Sequence, residues 1–392
     1  MKDSRPLDGC GIRVAASAKP DLKAAVAELR DMLAQVPLAD LQQIIVFFSL
    51  EHDAAELARQ LAEAFPGVPL SGCSTAGELT PSGLSDGGIV LIAFPREGFR
   101  IHSEVIDEVD GLGVERAAGI VRRLKSQFGD GPALGSRVFA LLFVDGLSKS
   151  EERVVAAVHW AMDDIQLAGG SSGDSLAFQR TALIHDGRVL NNAAILLMVE
   201  TDLPFRVFKT QNFEPTAIKL VVTGADTENR IVHELNAEPA AREYATAIGL
   251  LPDDLGPFSF ASHPLVVKVG GDYYCRSIRN VNPDGSLTFF CAIDEGLVFT
   301  VARPQDMLNA TETALEQMSE SLGGIDMVLG FDCILRRLDA QNRQISHQVD
   351  ALYRKYRVVG FNTYGEQYNA MHLNQTLTGI AFGRRGGTSG AA

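Results

Sequence analysis

The sequence predicts an α/β protein with two lobes, built from diverged βαβ-type repeats with mixed sheets. The main observation is a pattern that occurs three times: an apolar strand, a helical stretch, a glycine-rich turn with a carboxylate, and a second apolar strand. Strands that alternate with helices of this length are typical of βαβ units and a largely parallel or mixed sheet. A strand-rich stretch separates the second copy of the pattern from the third.

The first copy is the clearest. It comprises strand 44–49, a helix over 51–65, the turn GCSTAGE at 72–78 and strand 88–94. Leu57, Leu61 and Phe65 are spaced four residues apart, which places them on one face of the helix.

The other two copies have the same order of elements. The second comprises strand 138–146, a helix over 151–165, the turn GGSSGD at 169–174 and two strands joined at Asp186-Gly187. The third comprises strand 326–333, a helix containing Ile345, Val349, Leu352 and Tyr356, the turn 358–366 and strand 376–382. Gly72, Gly169 and Gly360 follow their first strands at similar distances, which supports this alignment.

The segment between the second and third copies has a different composition. It comprises strand 229–235, a helix over 237–250, a strand-rich stretch over 263–293 and a helix over 304–322. A new strand-helix unit thus begins near residue 230, and we place a boundary there. The predicted organisation is an N-terminal extension at 1–34, one domain at 35–230, a second at 231–384 and a disordered tail at 385–392.

The charge and composition exclude several classes of partner. The formal net charge is −14 and no long Lys/Arg cluster occurs, which argues against nucleic acid and anionic membranes as partners. No apolar run approaches the roughly 20 residues of a membrane span. The five cysteines are far apart and form neither a disulfide framework nor a zinc motif, so we expect a cytoplasmic protein.

The two turns GCSTAGE and GFNTYGE share Gly, Thr, Gly and Glu at the same offsets, and three interpretations are open. Cys73 or Cys333 could be a nucleophile, but the third copy has Phe361 where the first has Cys73. The turns could cradle a ligand; their carboxylates would repel a phosphate and suit an amine. Alternatively, the carboxylates hold the turn's own main-chain amides. The repetition favours turn geometry over a catalytic thiol.

The histidines form no metal motif of the H-x-x-x-H or H-E-x-x-H type. Non-covalent haem needs only one axial side chain and an apolar pocket, so it stays open. On expected burial we rank His263 first as an iron ligand, followed by His233, His185 and His159. His52, His102 and His347 fall on polar stretches, where we expect them to be solvated.

Several motifs in fixed order resemble the FIST family over residues 35–384. They are LSGCSTAGELTPSG, LAGGSSGD, YYCRSI, GFDCILRR and VVGFNTYGEQYNAMHLNQTLTGIAF. The resemblance implies paired FIST N-type (35–230) and FIST C-type (231–384) domains in a bacterial signal-transduction sensor. The stand-alone members resemble nitric-oxide-sensing haemoproteins that regulate a partner histidine kinase and biofilm behaviour.

The resemblance implies a non-catalytic sensor and a set of binding residues. The residues that match the family pattern are Gly72, Thr75, Gly77, Glu78, Arg276, Cys333, Arg336, Thr363, Tyr364, Gly365, Glu366 and Asn374. It implies haem b with nitric oxide as the ligand; the alternative is a small metabolite such as an amino acid, without haem. The partner would be a histidine kinase or a related signalling protein, and a homodimer is an open option.

Overall fold

The computed structural model describes residues 9–129 and 134–384. The predicted tail at 385–392 and the first eight residues of the predicted extension lie outside these ranges. Within the described ranges, no helix has both the length and the apolar character that a membrane crossing requires.

The first part of the chain contains the first repeat unit and its flanking elements. In order they are β1 Arg13–Ser17, α1 Leu22–Met32, β2 Leu41–Phe48, α2 Ala54–Ala64, β3 Leu70–Ser74, β4 Glu78–Thr80, β5 Gly83–Ser85, β6 Ile89–Pro95, β7 Phe99–Asp107 and α3 Val114–Ser126. The helix predicted over 51–65 starts later, because the Asp53 side chain accepts a hydrogen bond from the Glu56 N–H (2.8 Å) and caps it.

The second unit follows. Its elements are β8 Val138–Val144, α4 Glu151–His159, β9 Gln166–Ser171, β10 Leu183–His185, β11 Arg188–Leu190, β12 Ala193–Thr201 and β13 Phe205–Gln211. The helix predicted over 151–165 is therefore shorter than expected. The chain turns after it, and Met162 and Ile165 are buried from non-helical positions.

Residues 213–304, which we call the strand-rich module, form a body with its own core. Its elements are β14 Phe213–Asp226, β15 Ile231–Leu235, β16 Glu238–Pro239, α5 Ala240–Ile248, α6 Pro257–Ser262, β17 Leu265–Val269, β18 Asp272–Arg276, β19 Ile278–Val281, β20 Leu287–Phe289 and β21 Val298–Pro304. The strands form one antiparallel sheet in the order β18-β17-β21-β14-β15-β20-β19, with β16 beside β15.

The third unit ends the described chain. Its elements are α7 Met307–Leu322, β22 Ile325–Cys333, α8 Ile334–Asn342, α9 Ser346–Lys355, β23 Val358–Thr363, β24 Glu366–Tyr368, β25 Met371–Leu373 and β26 Thr376–Gly383. The helix predicted here corresponds to α9, and a second helix, α8, precedes it across a break at Gln344, where φ is +58°. Ile345 and Tyr356 are caps of α9, whereas Val349 and Leu352 are buried on its inner face.

The three units have the same internal pairing, which confirms the predicted α/β fold with mixed sheets. The pairs β2–β3, β8–β9 and β22–β23 are parallel, and β6, β12 and β26 run antiparallel to the first strand of their unit. We call the three units together the repeat body. Each sheet turns one face to a shared apolar core and has helices on the other.

A pseudo-threefold axis passes through this shared core. Phe47, Phe143 and Phe331 occupy the same position in the first strands of their units. Their ring centroids lie 5.5, 6.4 and 5.9 Å apart, and each pair meets edge to face. Phe361 from β23 packs against all three rings.

Each unit also gives a hairpin to a neighbouring sheet. The hairpin β4–β5 joins the third sheet through β23, β10–β11 joins the first through β3, and β24–β25 joins the second through β9. Because the exchange is cyclic, no unit can complete its sheet alone. The predicted boundary between residues 230 and 231 stays a prediction.

Candidate functional site

The three glycine-rich turns meet at one end of the repeat body and hydrogen-bond to one another. The main-chain bonds run from Gly173 N–H to Ser74 O (3.1 Å), Ser171 N–H to Gly365 O (2.8 Å), Ala76 N–H to Asn362 O (2.9 Å) and Asn362 N–H to Gly77 O (2.7 Å). Each turn bonds to the other two, so the bonds form a closed ring. The turns thus hold the three units together.

Three predicted glycines are required by close packing at the base of this ring. A methyl group on Gly72, Gly169 or Gly360 would lie 1.8, 1.9 or 1.9 Å from a carbonyl oxygen of the neighbouring first strand. These distances are far inside van der Waals contact, so no other residue fits without moving the strands apart.

The glutamates of the first and third turns bind their own turns. Glu78 accepts hydrogen bonds from the Thr75 hydroxyl (2.6 Å) and from the Gly88 N–H (3.0 Å). Glu366 accepts two from Thr376, through its N–H (3.2 Å) and its hydroxyl (2.7 Å). In both turns the main-chain donor lies ten residues after the glutamate. These contacts favour a role in holding main-chain amides over recognition of an amine.

Both glutamates are fully buried, and burial makes their ionised forms costly. Burial raises the pKa of Glu78 to about 7, although the Thr75 hydrogen bond opposes the change. It raises the pKa of Glu366 to about 8, against the hydrogen bonds from Thr363 and Thr376. Glu366 therefore holds a proton at neutral pH.

The carboxylate of the second turn holds a loop instead. Asp174 accepts hydrogen bonds of 2.7–3.0 Å from the main-chain N–H groups of residues 178–180. The Tyr364 hydroxyl from the third turn donates to Asp174 and accepts from the Leu176 N–H (2.8 Å). Burial raises the pKa of Tyr364, so its hydroxyl stays a donor. The loop is thereby fixed to two turns of the ring.

Backbone strain is concentrated around this loop. Ser175, Leu176 and Phe178 have φ of +54°, +70° and +51°, and the nearby Lys149 and Arg230 have +54° and +58°. Residues other than glycine adopt this left-handed backbone conformation at a cost of about 1–2 kcal/mol each. Strained backbone persists where the surrounding contacts enforce it, and it clusters at binding sites.

A cleft lies where the strained loop faces the strand-rich module, and it contains a cavity of about 40 Å³. Its lining includes Lys149, Phe178, Arg230, Arg279, Phe290 and Tyr364. Lys149, Phe178 and Tyr364 come from the repeat body, whereas the other three come from the module. The cleft is thus built between the two bodies.

Three cations line this cleft, and they differ in their partners. Arg230 is buried and pairs with Glu151 (2.6 Å) and Glu152 (2.7 Å), which joins the module to α4. Arg279 lies over the Phe178 ring at 5.2 Å and makes no ion pair within the described ranges. Burial and then the charge of Arg230 lower the pKa of Arg279.

Among the other predicted residues, Arg336 supports the connection between the two bodies. It is 1% exposed and donates to Asp332 (2.7 Å), Asn212 (2.8 Å) and Thr311 (3.0 Å). Burial acts to lower the pKa of Arg336, but the charge of Asp332 outweighs this effect, so the pKa is raised. Asn212 is the residue between β13 and β14, so Arg336 fixes the point where the chain enters the module.

Arg276 and Asn374 join the module to the third unit beside the cleft. Arg276 donates to the His372 carbonyl (3.2 Å). Asn374 accepts from the Ser277 N–H (3.4 Å) and donates to the Tyr364 carbonyl (3.2 Å). Of the matched residues, these two lie at the interface and Tyr364 lines the cleft, while the other turn residues form the ring.

The two thiols considered as nucleophiles are fully buried. Burial raises the pKa of Cys73 and of Cys333 well above the ordinary value. A thiolate is therefore strongly disfavoured at both positions.

The four ranked histidines lie on separate elements. His263 is half-buried at the end of α6, with Nδ1 3.2 Å from the Ser259 carbonyl. His185 is half-buried and contacts Asp186 (3.2 Å). His159 is half-buried, and its Nδ1 has no hydrogen-bond partner within the described ranges. His233 is exposed, so its expected partial burial is wrong: its neighbour Val232 faces the core instead.

Two other histidines are more deeply buried than any of these. His52 was expected to be solvated, but it is 3% exposed, and His372 is 2% exposed. None of the four ranked histidines lines the cleft or the two larger described cavities, of about 390 and 310 Å³. No histidine lines any of these three described cavities, so a haem with a histidine ligand would have to bind elsewhere in the protein.

The cleft residues Lys149, Phe178, Arg230, Arg279 and Phe290 were missed by the sequence reasoning. They lie on loops and strand ends without a shared motif. The one available signal was Asp174, whose loop carries Phe178.

The fold and the cleft together define a body of three interlocked α/β repeats with a cleft against a second module. The FIST N domain matches residues 42–238 and the FIST C domain matches residues 240–369. The chain belongs to the FIST family, and these domains indicate a small-ligand sensor in signal transduction.

Two further similarities are more distant. The chain is 24% identical over 307 residues to the uncharacterized protein MJ1623 of Methanocaldococcus jannaschii, covering 71% of this chain and 57% of that protein. It therefore spans little more than half the length of that relative. A solved structure of cyanuric acid hydrolase, described as evolutionary innovation by structural concatenation, has a TM-score of 0.35 at 11% identity, covering 95% of this chain and 99% of the other.

Proposed function

We propose that the protein is a non-catalytic sensor that binds a small ligand in the cleft between the repeat body and the strand-rich module. The observation that carries this proposal is the coincidence, at one cleft, of strained backbone, aromatic side chains and Arg279, which has no ion pair among the described residues. A partner signalling protein such as a histidine kinase would detect the resulting change in shape.

The size of the cavity suggests how binding changes the shape. A cavity of about 40 Å³ has room for only a few water molecules, since each needs roughly 10–15 Å³ of cavity volume. A metabolite can enter only if the module moves relative to the repeat body. A ligand that binds the wider state better shifts the population towards it, by as much as its affinities for the two states differ.

The covalent connections between the two bodies permit such a movement. The chain enters the module at Asn212 and leaves it at Gln305, and the Gln305 N–H donates to the Asn212 carbonyl (2.7 Å). The two connections therefore lie side by side. Arg336, which lies in the repeat body, donates a hydrogen bond to Asn212 and would hold this end of the connection in place when the module moves.

The proposal is tested by screening the purified protein against amino acids, organic acids, amines and neutral amides. Binding is measured by thermal shift and confirmed by calorimetry. We expect at least one compound to bind, and Phe178→Ala to weaken it. Phe258→Ala, an exposed phenylalanine on α6 of the same module, is the matched control. If no compound binds, or if both variants weaken binding equally, the proposed site is wrong.

Haem-based sensing of nitric oxide is the second candidate function. One observation favours it: a ring nitrogen of His159 is buried without a hydrogen-bond partner within the described ranges. The protein purified with added haem should then show a Soret band that changes in the variant of the ligating histidine. If there is no such band, or if it is the same in His263→Ala, His233→Ala, His185→Ala and His159→Ala, the haem version of the function is wrong.

A further inference from the structure

We propose that the ligand of the cleft is a small monocarboxylate whose charged group pairs with Arg279, with Lys149 as a second cation. This inference deepens the proposed function and rests on the same cleft. It differs from the expectation drawn from the turn carboxylates, which pointed to an amine.

The balance of charges at the cleft is the first argument. Arg230, Arg279 and Lys149 all line the cavity. Glu151 and Glu152 both pair with Arg230. Lys149 donates to the Asn229 side chain (2.8 Å) and makes no ion pair within the described ranges. As far as the structure describes the chain, Arg279 and Lys149 are therefore two cleft cations that pair with no carboxylate.

Within the described ranges, the contacts of Arg279 leave the edge of its guanidinium that carries the two Nη groups free to bind a ligand. Its Nε donates to Asn280 Oδ1 (3.1 Å), and its guanidinium lies over the Phe178 ring. Within the described ranges the two Nη groups have no protein acceptor, and Arg279 is half-buried. A guanidinium edge binds a carboxylate through two parallel hydrogen bonds, and such charge-assisted bonds are among the strongest in proteins.

The carboxylates that bind residues lining the cleft already have donors. Asp174 accepts from its loop, and Asp226 accepts from the Asn229 N–H (3.0 Å). Glu151 and Glu152 accept from Arg230, and Glu152 also accepts from the Ala292 N–H (2.6 Å). An ammonium group in the cleft would therefore compete with existing donors for each of these carboxylates. Glu152 and Asp174 would repel the second charge of a phosphate dianion, so a monoanion fits best.

An apolar ligand body fits the aromatic side chains of the cleft, which lie beside Arg279. The rings of Phe178, Phe290 and Tyr364 pack on one another with centroids 4.7–6.0 Å apart. Aromatic surfaces of this kind contact a planar apolar group well. A carboxylate attached to a small apolar or aromatic group therefore suits both Arg279 and the aromatic side chains of the cleft.

Three probes of the same shape separate the charge classes: benzoate, benzamide and benzylamine. Calorimetry with the full-length protein should show saturable binding of benzoate, and at least tenfold weaker binding of the other two. Arg279→Gln should weaken benzoate binding at least tenfold, which is about 1.4 kcal/mol. Arg279→Lys should recover part of the loss. Arg242→Gln, an exposed arginine on α5 of the same module, is the matched control and should leave binding unchanged.

The inference is overturned if benzamide or benzylamine binds as tightly as benzoate, if inorganic phosphate binds more tightly, or if Arg279→Gln leaves benzoate binding unchanged. The monocarboxylate inference fails, but the proposed function stands, if another class of compound binds and Phe178→Ala weakens that binding. The cleft is then the binding site and only the ligand class is wrong. If no probe and no compound of the wider screen binds, the proposed function fails as well.

Discussion

Replacing Glu366 with glutamine should remove much of the pH dependence of stability. Burial raises the pKa of this carboxyl from 4.5 to about 8. Between these values the folded protein holds a proton that the unfolded chain releases. Stability therefore falls as the pH rises through this window, and the loss is complete above about pH 8.

The magnitude follows from the width of the window. Each pH unit corresponds to about 1.4 kcal/mol, so a window from 4.5 to about 8 is worth at most about 5 kcal/mol. A glutamine can keep the contacts, because its carbonyl oxygen can accept from Thr376 while its amide donates to the Thr363 hydroxyl. We expect the variant to lose about 1 kcal/mol or less at low pH.

Urea denaturation of both proteins at a series of pH values measures this difference. Above about pH 8 the variant should be the more stable protein, by several kcal/mol. Glu320→Gln, at an exposed position of α7, is the control and should follow the wild type at every pH. Parallel stability curves for the wild type and Glu366→Gln would refute the protonated, buried carboxyl.

Three further changes test the framework around the cleft. Gly169→Ala places a methyl group 1.9 Å from the Leu142 carbonyl and should prevent folding to a stable protein; a thermal midpoint like that of the wild type would contradict the close packing. Arg336→Met leaves Asp332 buried without its cation and should lower the free energy of unfolding by about 3–5 kcal/mol, as measured by denaturation. Adding Asp332→Asn to this variant should restore part of the loss; no restoration would mean that the broken ion pair does not cause it. Arg230→Met breaks the contact between the module and α4 and should speed limited proteolysis at the connections between the two bodies, and unchanged cleavage would argue against this contact as a latch.

The repeat architecture was predictable from the sequence because it has a local signal. The glycines of the three turns must be small, and so the same offsets recur in GCSTAGE and GFNTYGE. The exchange of hairpins was not predictable. A strand as short as β4 carries no pattern that specifies its partner, and pairing with β23 depends on contacts nearly 300 residues away in sequence.

The cleft depends on tertiary contacts of the same kind. The sequence around Arg279 does not show that this arginine makes no ion pair within the described ranges. That outcome depends on tertiary contacts, because Glu151 and Glu152 both pair with Arg230 instead. His372 illustrates the converse. It is buried with Nδ1 3.2 Å from the Gln367 side chain and with Nε2 lacking a hydrogen-bond partner within the described ranges, and burial lowers its pKa to about 4. Burial of histidines thus could not be ranked from local hydropathy.

Hydrogen–deuterium exchange with and without benzoate would locate the ligand directly. If the cleft is the sensing site, exchange should slow in residues 174–180 and 276–290, while peptides from the core strands of the three sheets stay unchanged. The link around Asn212 should change as well, because the module moves relative to the repeat body when the ligand enters. The cavity of about 310 Å³ is lined by residues 206–209 of β13 and by residues of α7 between 314 and 321. Slower exchange confined to these residues, with residues 174–180 unaffected, would contradict the assignment of the site.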